Sequence, residues 1–252
     1  MNPYAGRVQE LRNAAEVAEV TSDLMVRWAA QALEPGYPHE RGAAWRSRNA
    51  VVVFAPRLNR ADRVVHAGDE DDVVALLREV LPDLTRPKVR LLAAAPLAAR
   101  VSERLGHEVL ATFGWLHLDG AAPQRPTPDV EWLTAADEPA IDALLRAANP
   151  GSYLFPDDPG AVRWAGIRDT DGTPVSIAGD SWPAPGLRYV SGVATHPAHR
   201  GRGLSTQVCT FLTRELAALG AVTLMADADN EPALKVYRGL GFRYSPISAS
   251  RG

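Results

Sequence analysis

Cysteine is nearly absent from this chain, with Cys209 the single example in 252 residues. One thiol excludes an internal disulfide, and beside the apolar Val208 it reads as a small buried hydrophobe. Long apolar runs are missing too. No uninterrupted stretch approaches the roughly 18 to 20 residues that a membrane-spanning helix needs, and MNPYAGRVQELR carries no hydrophobic signal core. An excess of one charge is also lacking, since 27 Lys and Arg face 30 Asp and Glu for a formal net charge of -3. That balance leaves no global basic footprint for nucleic acid. These absences predict a cytoplasmic protein with neither a membrane nor a nucleic acid as its partner.

What is present is an alternation of short elements, and 46% hydrophobic residues suffice for buried cores in two modest domains. From Val8 onward, Leu11, Val17, Val20, Leu24, Met25 and Trp28 form an interrupted helical pattern that Gly36 and Pro38 end. AVVVFAP reads as a buried strand closed by Pro56, and His39, Arg41, Arg46 and Arg48 as a solvated loop rather than an anion site. The acidic run DEDD precedes a helix through Val73, Val74, Leu76, Leu77, Val80 and Leu81, which Pro82 stops. Its carboxylates suit a helix N-terminus, consecutive side chains diverge around a helix, and no metal is assigned to them. After Pro87, KVRLLAA reads as a strand, PLAARVSERLG as a helix and EVLATFGWLHL as a long strand, an α/β pattern. Residues 119–128, DGAAPQRPTP, lack apolar periodicity and mark a linker between domains at 1–118 and 129–252.

Beyond the linker, VEWL is a short strand, Thr134 an N-cap, and Ile141, Leu144 and Leu145 one face of a helix ending before Asn149. AVRWAGIRD and TPVSIAGDSW pair as a hairpin turning at Asp171 and Gly172, and LRYVSGVATH continues the sheet after a turn from Pro183 to Gly186. That central strand runs into a basic, glycine-bearing turn and then a helix. Gly201 and Gly203 free the turn of bulk so that backbone N–H groups converge on an anion, with Arg200 and Arg202 adding positive charge. Leu204, Val208, Phe211, Leu212, Leu216 and Leu219 recur at helical spacing before Gly220, so the positive end of the helix faces the same anion. On the loop alone, a plain strand-to-helix turn is an equal reading.

RGRGLS, residues 200–205, is similar to the Gln/Arg-x-x-Gly-x-Gly/Ala signature of the GCN5-related N-acetyltransferases, the GNAT superfamily. Arg200 and Gly203 fall on its fixed positions, while Ser205 stands where glycine or alanine is usual. The strand AVTLMAD, then Asn230, a short helix with Ala233 and Tyr237, and Leu240 to Phe242 follow in the family's order, so the resemblance covers about residues 128 to 247. It implies an α/β (α+β) fold with a mixed, mostly antiparallel sheet flanked by helices. It also implies direct transfer of an acetyl group from acetyl-CoA to a primary amine of a small molecule or peptide. Arg200, Gly201, Arg202, Gly203, Leu204 and Ser205 would hold the pyrophosphate, and Val193, Ala194 and Thr195 the pantetheine arm, between strands splaying around Tyr189–Thr195 and Ala221–Ala226. The Val193 amide would polarise the thioester carbonyl, Tyr237 would be the general acid, and Asn230 would fix the adjoining backbone and contact the cofactor arm.

The resemblance does not identify the base. Asp180, Glu231 and His196 are candidates, with Asp180 the choice. SYLFPDDPG, with Tyr153, Phe155, Asp157 and Asp158, falls where the family places its substrate segment, and a packed loop with solvated aspartates is an equal reading. ERLGHEVL and YRGLGFRYS each set Leu-Gly ahead of a strand, which suggests a duplication whose first copy, residues 1–118, is a degenerate GNAT-like domain without the Arg-x-x-Gly-x-Gly turn. A monomer or homodimer is expected. The competing reading is a non-catalytic acyl-CoA-binding sensor or scaffold; a nucleotide-binding protein is disfavoured because the turn lacks the Lys-Ser/Thr ending of a P-loop.

Overall fold

The computed structural model describes residues 6–84, 86 and 88–252. Residues 1–5, which open the stretch MNPYAGRVQELR, and Pro87, expected to precede the KVRLLAA strand, lie outside the described residues, as does Thr85. The chain forms two compact units: one runs to Trp115 and regains Ser245–Gly252, and the other is Leu116–Tyr244.

The first unit contains β1 (Gln9–Leu11), α1 (Ala14–Val20), α2 (Leu24–Ala29), β2 (Ala43–Ser47), β3 (Ala50–Leu58), β4 (Ala61–Gly68), α3 (Glu70–Val80), β5 (Arg90–Ala94), α4 (Ala95–Leu105) and most of β6 (Glu108–Leu118). Strands β1 to β4 are successive antiparallel neighbours and β5 is parallel to β4. Val52, Phe54 and Val64 pack under Val73, Leu76 and Leu77 of α3 and Val101 of α4. The helical reading from Val8 is corrected at its start: Gln9–Leu11 pairs with β2, and the helix begins only at Ala14, where the Asn13 side chain accepts from the Glu16 amide. Nor does Pro56 close its strand. It lies at a register shift between Ala55 and Leu58, where an imino residue costs no ladder bond, and β3 continues to Leu58. Strands β2 and β4 were not legible, because Arg46 and Arg63 interrupt them; Arg63 is buried by folding its guanidinium onto the carbonyls of Leu58 and Asn59.

The second unit contains β7 (Glu131–Trp132), α5 (Glu138–Ala148), β8 (Ala161–Arg168), β9 (Pro174–Ala184), β10 (Leu187–Thr195), α6 (Leu204–Ala217), β11 (Ala221–Asp227), α7 (Glu231–Gly239) and the start of β12 (Phe242–Arg251). Strands β7 to β10 are successive antiparallel neighbours and β11 is parallel to β10. One face of this sheet packs on α6 and α7 through Val190, Val208, Leu212, Val222, Leu234 and Tyr237. The other packs on α5 through Ile141, Leu145, Trp164 and Ile177. Thr134 and Asp137 form a reciprocal capping box ahead of α5, at the predicted cap. Leu219 does not share the buried face of α6; the helix ends at Ala217, and Leu219 is exposed.

The last residues of the chain, expected in the second domain, belong to the first unit because Ile247–Ser250 of β12 pair with β5. Each half nevertheless runs through a similar succession: a strand, two helices in the first half and one in the second, three antiparallel strands, a helix, a strand parallel to the third, a helix and a strand.

Candidate functional site

The site is organised on β10. Its parallel pairing with β11 runs from Leu187/Ala221 to Val190/Leu224 and goes no further, although β10 continues to Thr195 and β11 to Asp227. The strands therefore part beyond Val190. On the other side, the register with β9 shifts between Ser191 and Ala194. Gly192 sits in that bulge at φ +63. A Cβ there would lie 2.5 Å from Cη2 of Trp164, so both the backbone and the packing require glycine. The glycine inside VSGVAT was the available sequence signal for the bulge.

Thr195 leads to a short 3-10 turn at Pro197–His199, where His196 Nδ1 accepts from the Ala198 amide. Gly201 and Gly203 follow at φ +78 and +74, with no atom within 4 Å of an added Cβ at either position. Gly203 is the N-cap of α6 and supplies no side chain, so the first amides of this 14-residue helix open onto that space uncapped. Leu204 and Ser205 occupy its first turn, half-buried, and Arg202 is exposed. The Arg200 side chain, expected to help hold the pyrophosphate, reaches two backbone carbonyls. Its Nε donates to the Thr195 carbonyl and its Nη2 to the Ala148 carbonyl, each at 3.2 Å.

Tyr237, on α7, is buried in the same core as Cys209 and stands edge-on to Phe242 at 6.0 Å between ring centroids. Among the described residues no group hydrogen-bonds its hydroxyl, and burial pushes its pKa well above the ordinary tyrosine value, so the phenol keeps its proton. Burial also pushes the Cys209 thiol up to about 12, and the residue is buried, as its sequence context predicted. Asn230 caps α7, its Oδ1 accepting from the Ala233 amide at 3.2 Å.

Asp180 is buried on β9, opposite Val190 and on the α6 face. Its Oδ2 accepts from Arg163 Nε at 3.1 Å, and that guanidinium lies over the Trp132 ring at 3.8 Å. Oδ1 has no hydrogen-bond partner. Burial raises the Asp180 pKa against the opposing pull of Arg163 and Arg188. The other two base candidates, His196 and Glu231, are exposed, Glu231 beside Arg238.

The segment 149–160 crosses the α5 side of β10. Leu154 is buried and packs toward Gly179 and Gly192. Phe155 is buried under Arg146 and donates its amide to Asp158, while Tyr153 and Asp157 are exposed. Asn149, which the sequence reading used only as a helix stop, donates Nδ2 to the Val193 carbonyl within the bulge at 3.3 Å. Among the described residues no group of His, Cys, Asp and Glu side chains could hold a metal ion, and no helix is long and apolar enough to cross a membrane.

Residues 118–242 match the model of the acetyltransferase (GNAT) family. A mycothiol acetyltransferase of Mycobacteroides abscessus is 28% identical over an alignment covering 74% of this chain and 83% of that protein. A mycothiol acetyltransferase of Nocardia farcinica is 33% identical, covering 58% of this chain and 57% of that protein, so the chain spans less than two thirds of this second relative. Among solved structures, a putative GNAT-family acetyltransferase of Novosphingobium aromaticivorans aligns with TM-score 0.53 and 25% identity over 81% of this chain and 88% of that one. A GCN5-related N-acetyltransferase of Kribbella flavida aligns with TM-score 0.61 and 20% identity over 91% and 96%, a likeness of fold.

Proposed function

The chain is an acyltransferase that belongs to the GNAT superfamily through residues 118–242, and on that premise we propose that it transfers the acetyl group of acetyl-CoA directly to a primary amine. The observation that carries this reading is the continuity of β10: the strand parts from β11 after Val190, bulges at Gly192, and ends in a left-handed glycine turn at an uncapped helix N-terminus. A slot of that form suits a pantetheine arm lying along Val193, Ala194 and Thr195, with a pyrophosphate on the amides of Gly201 to Ser205. Arg202 adds positive charge.

In the proposed reaction, the amine nitrogen attacks the thioester carbonyl, a C–N bond forms, the C–S bond breaks, and Tyr237 protonates the departing sulfur. The amine's own proton goes to Asp180, whose Oδ1 has no hydrogen-bond partner and whose pKa burial raises against the pull of Arg163 and Arg188. The first half of the chain, with a similar succession of elements but no glycine turn, is read as a second copy of the topology that does not hold acyl-CoA.

The test is calorimetric titration of acetyl-CoA into the wild type and into Gly203→Trp, with circular dichroism as a folding check, followed by thiol release on an amine panel. The panel begins with the amine precursor of mycothiol, because relatives carry the name mycothiol acetyltransferase. Binding lost in a folded Gly203→Trp supports the slot. Binding without turnover of any amine favours the sensor reading instead.

A further inference from the structure

Three hydrogen bonds gather where α5 ends. Asn149 Nδ2 donates to the Val193 carbonyl inside the bulge, and Arg200 donates to the carbonyls of Thr195 and Ala148. Ala148 is the last residue of α5, so its carbonyl lacks an intrahelical partner and lies at the negative end of the helix dipole. A guanidinium answers both needs. Its planar fork also reaches two carbonyls from different segments at once, which an ammonium on a flexible stem does not reproduce.

The bonds tie together segments with different proposed tasks. Val193 and Thr195 lie on the cofactor strand, whereas Ala148 ends α5 and Asn149 leads into the segment 152–160, which the family resemblance places at the acceptor. We infer that Asn149 and Arg200 are positioning residues, a brace that couples the acceptor segment to the cofactor slot, so that filling the slot orders residues 149–160. This rests on the acyl-CoA reading of β10. Arg200 is then a strut rather than a phosphate ligand, and Arg202, exposed and without an ion pair among the described residues, supplies the charge that phosphate meets.

Hydrogen exchange on Asn149→Ala, Arg200→Lys, Arg200→Gln and Arg202→Gln, each with and without acetyl-CoA, tests the brace. Without ligand, amides in 146–155 should exchange about 2- to 10-fold faster in the Asn149 and Arg200 variants, the range one lost hydrogen bond allows, and unchanged in Arg202→Gln. Arg200→Lys keeps the charge and should still fail. With acetyl-CoA, the wild type should gain protection across 149–160 and the brace variants should gain less. The salt sensitivity of acetyl-CoA affinity should fall in Arg202→Gln and persist in Arg200→Gln. Unchanged exchange in Asn149→Ala and Arg200→Lys overturns the brace, as does reduced salt sensitivity in Arg200→Gln with protection intact. If the wild type binds no acetyl-CoA, the reading of the slot falls, while the ligand-free exchange still decides whether the brace exists.

Discussion

Replacing Gly192 by alanine tests the bulge directly. At φ +63 an L-residue pays about 1–2 kcal/mol against the same residue in an ordinary region. The new Cβ would also lie 2.5 and 2.6 Å from Cη2 and Cζ3 of Trp164, well inside the ~3.5–4.0 Å of favourable carbon contact. Trp164 is only 5% exposed, so it cannot swing into solvent, and overpacking of this kind costs about 1–3 kcal/mol. The two effects give a loss of about 2–5 kcal/mol, a large fraction of the ~5–15 kcal/mol stability of a typical domain. Urea unfolding followed by tryptophan fluorescence and circular dichroism measures it. Trp164→Phe removes the ring atoms that collide but leaves the backbone strain, so the double mutant should recover the packing share and show a coupling of about 1–3 kcal/mol. A Gly192→Ala loss below about 0.5 kcal/mol, or no coupling to Trp164→Phe, would refute this account of the bulge.

Tyr237→Phe should lower kcat by about 100-fold or more while leaving acetyl-CoA affinity and stability nearly unchanged, since no hydrogen bond holds the hydroxyl; an unchanged kcat in steady-state kinetics removes the general-acid assignment. His66, fully enclosed on β4, has its pKa pushed down to about 4 by burial. Its folded pKa lies below the ~6.5 of the unfolded chain, so the unfolded state takes up a proton that the folded state refuses, and stability falls between about pH 6.5 and 4 by up to ~3 kcal/mol. His66→Phe should flatten that limb of a urea-midpoint against pH series, and an unaltered slope would clear His66 of the effect. Asp137→Ala removes a cap and an ion pair with Arg168, and thermal unfolding should report a loss of about 1–2 kcal/mol; a loss under ~0.3 kcal/mol would show the capping box to be idle.

Much of the second unit was legible because its residues report local physics. The capping box at Thr134, the glycine turns at Gly172 and Gly201–Gly203, and the stripe through Val208, Leu212 and Leu216 each fix one conformation with little help from distant contacts. The unread features depend on partners far along the chain. The roles of Asn149 and Arg200 need α5 to end beside β10, a meeting of residues separated by 44 positions in one bond and 52 in another. Strand β4 needs a buried arginine, Arg63, to be satisfied by backbone carbonyls, which no periodicity reveals. The destination of the chain's end was hidden for the same reason, because pairing of Ile247 with Ala94 is written in neither segment alone.

The two halves differ at the helix start where the proposed reading places phosphate. Both have a strand, β4 or β10, followed by a helix and then by a strand parallel to the first. After β10 the chain spends residues 196–203 on a turn with two left-handed glycines, leaving the α6 amides uncapped. After β4 only Asp69 intervenes, and the first turn of α3 carries Glu70, Asp71 and Asp72. Those carboxylates already offset the positive end of the helix dipole, and Glu70 and Asp71 in turn bind Arg100 and Arg104 from α4. A phosphate approaching α3 would meet negative charge, tightly held, where at α6 it would meet free amides and Arg202. On the proposed reading, the missing turn and the reversed charge at this one junction account for why the first half would not share the acyl-CoA chemistry proposed for the second.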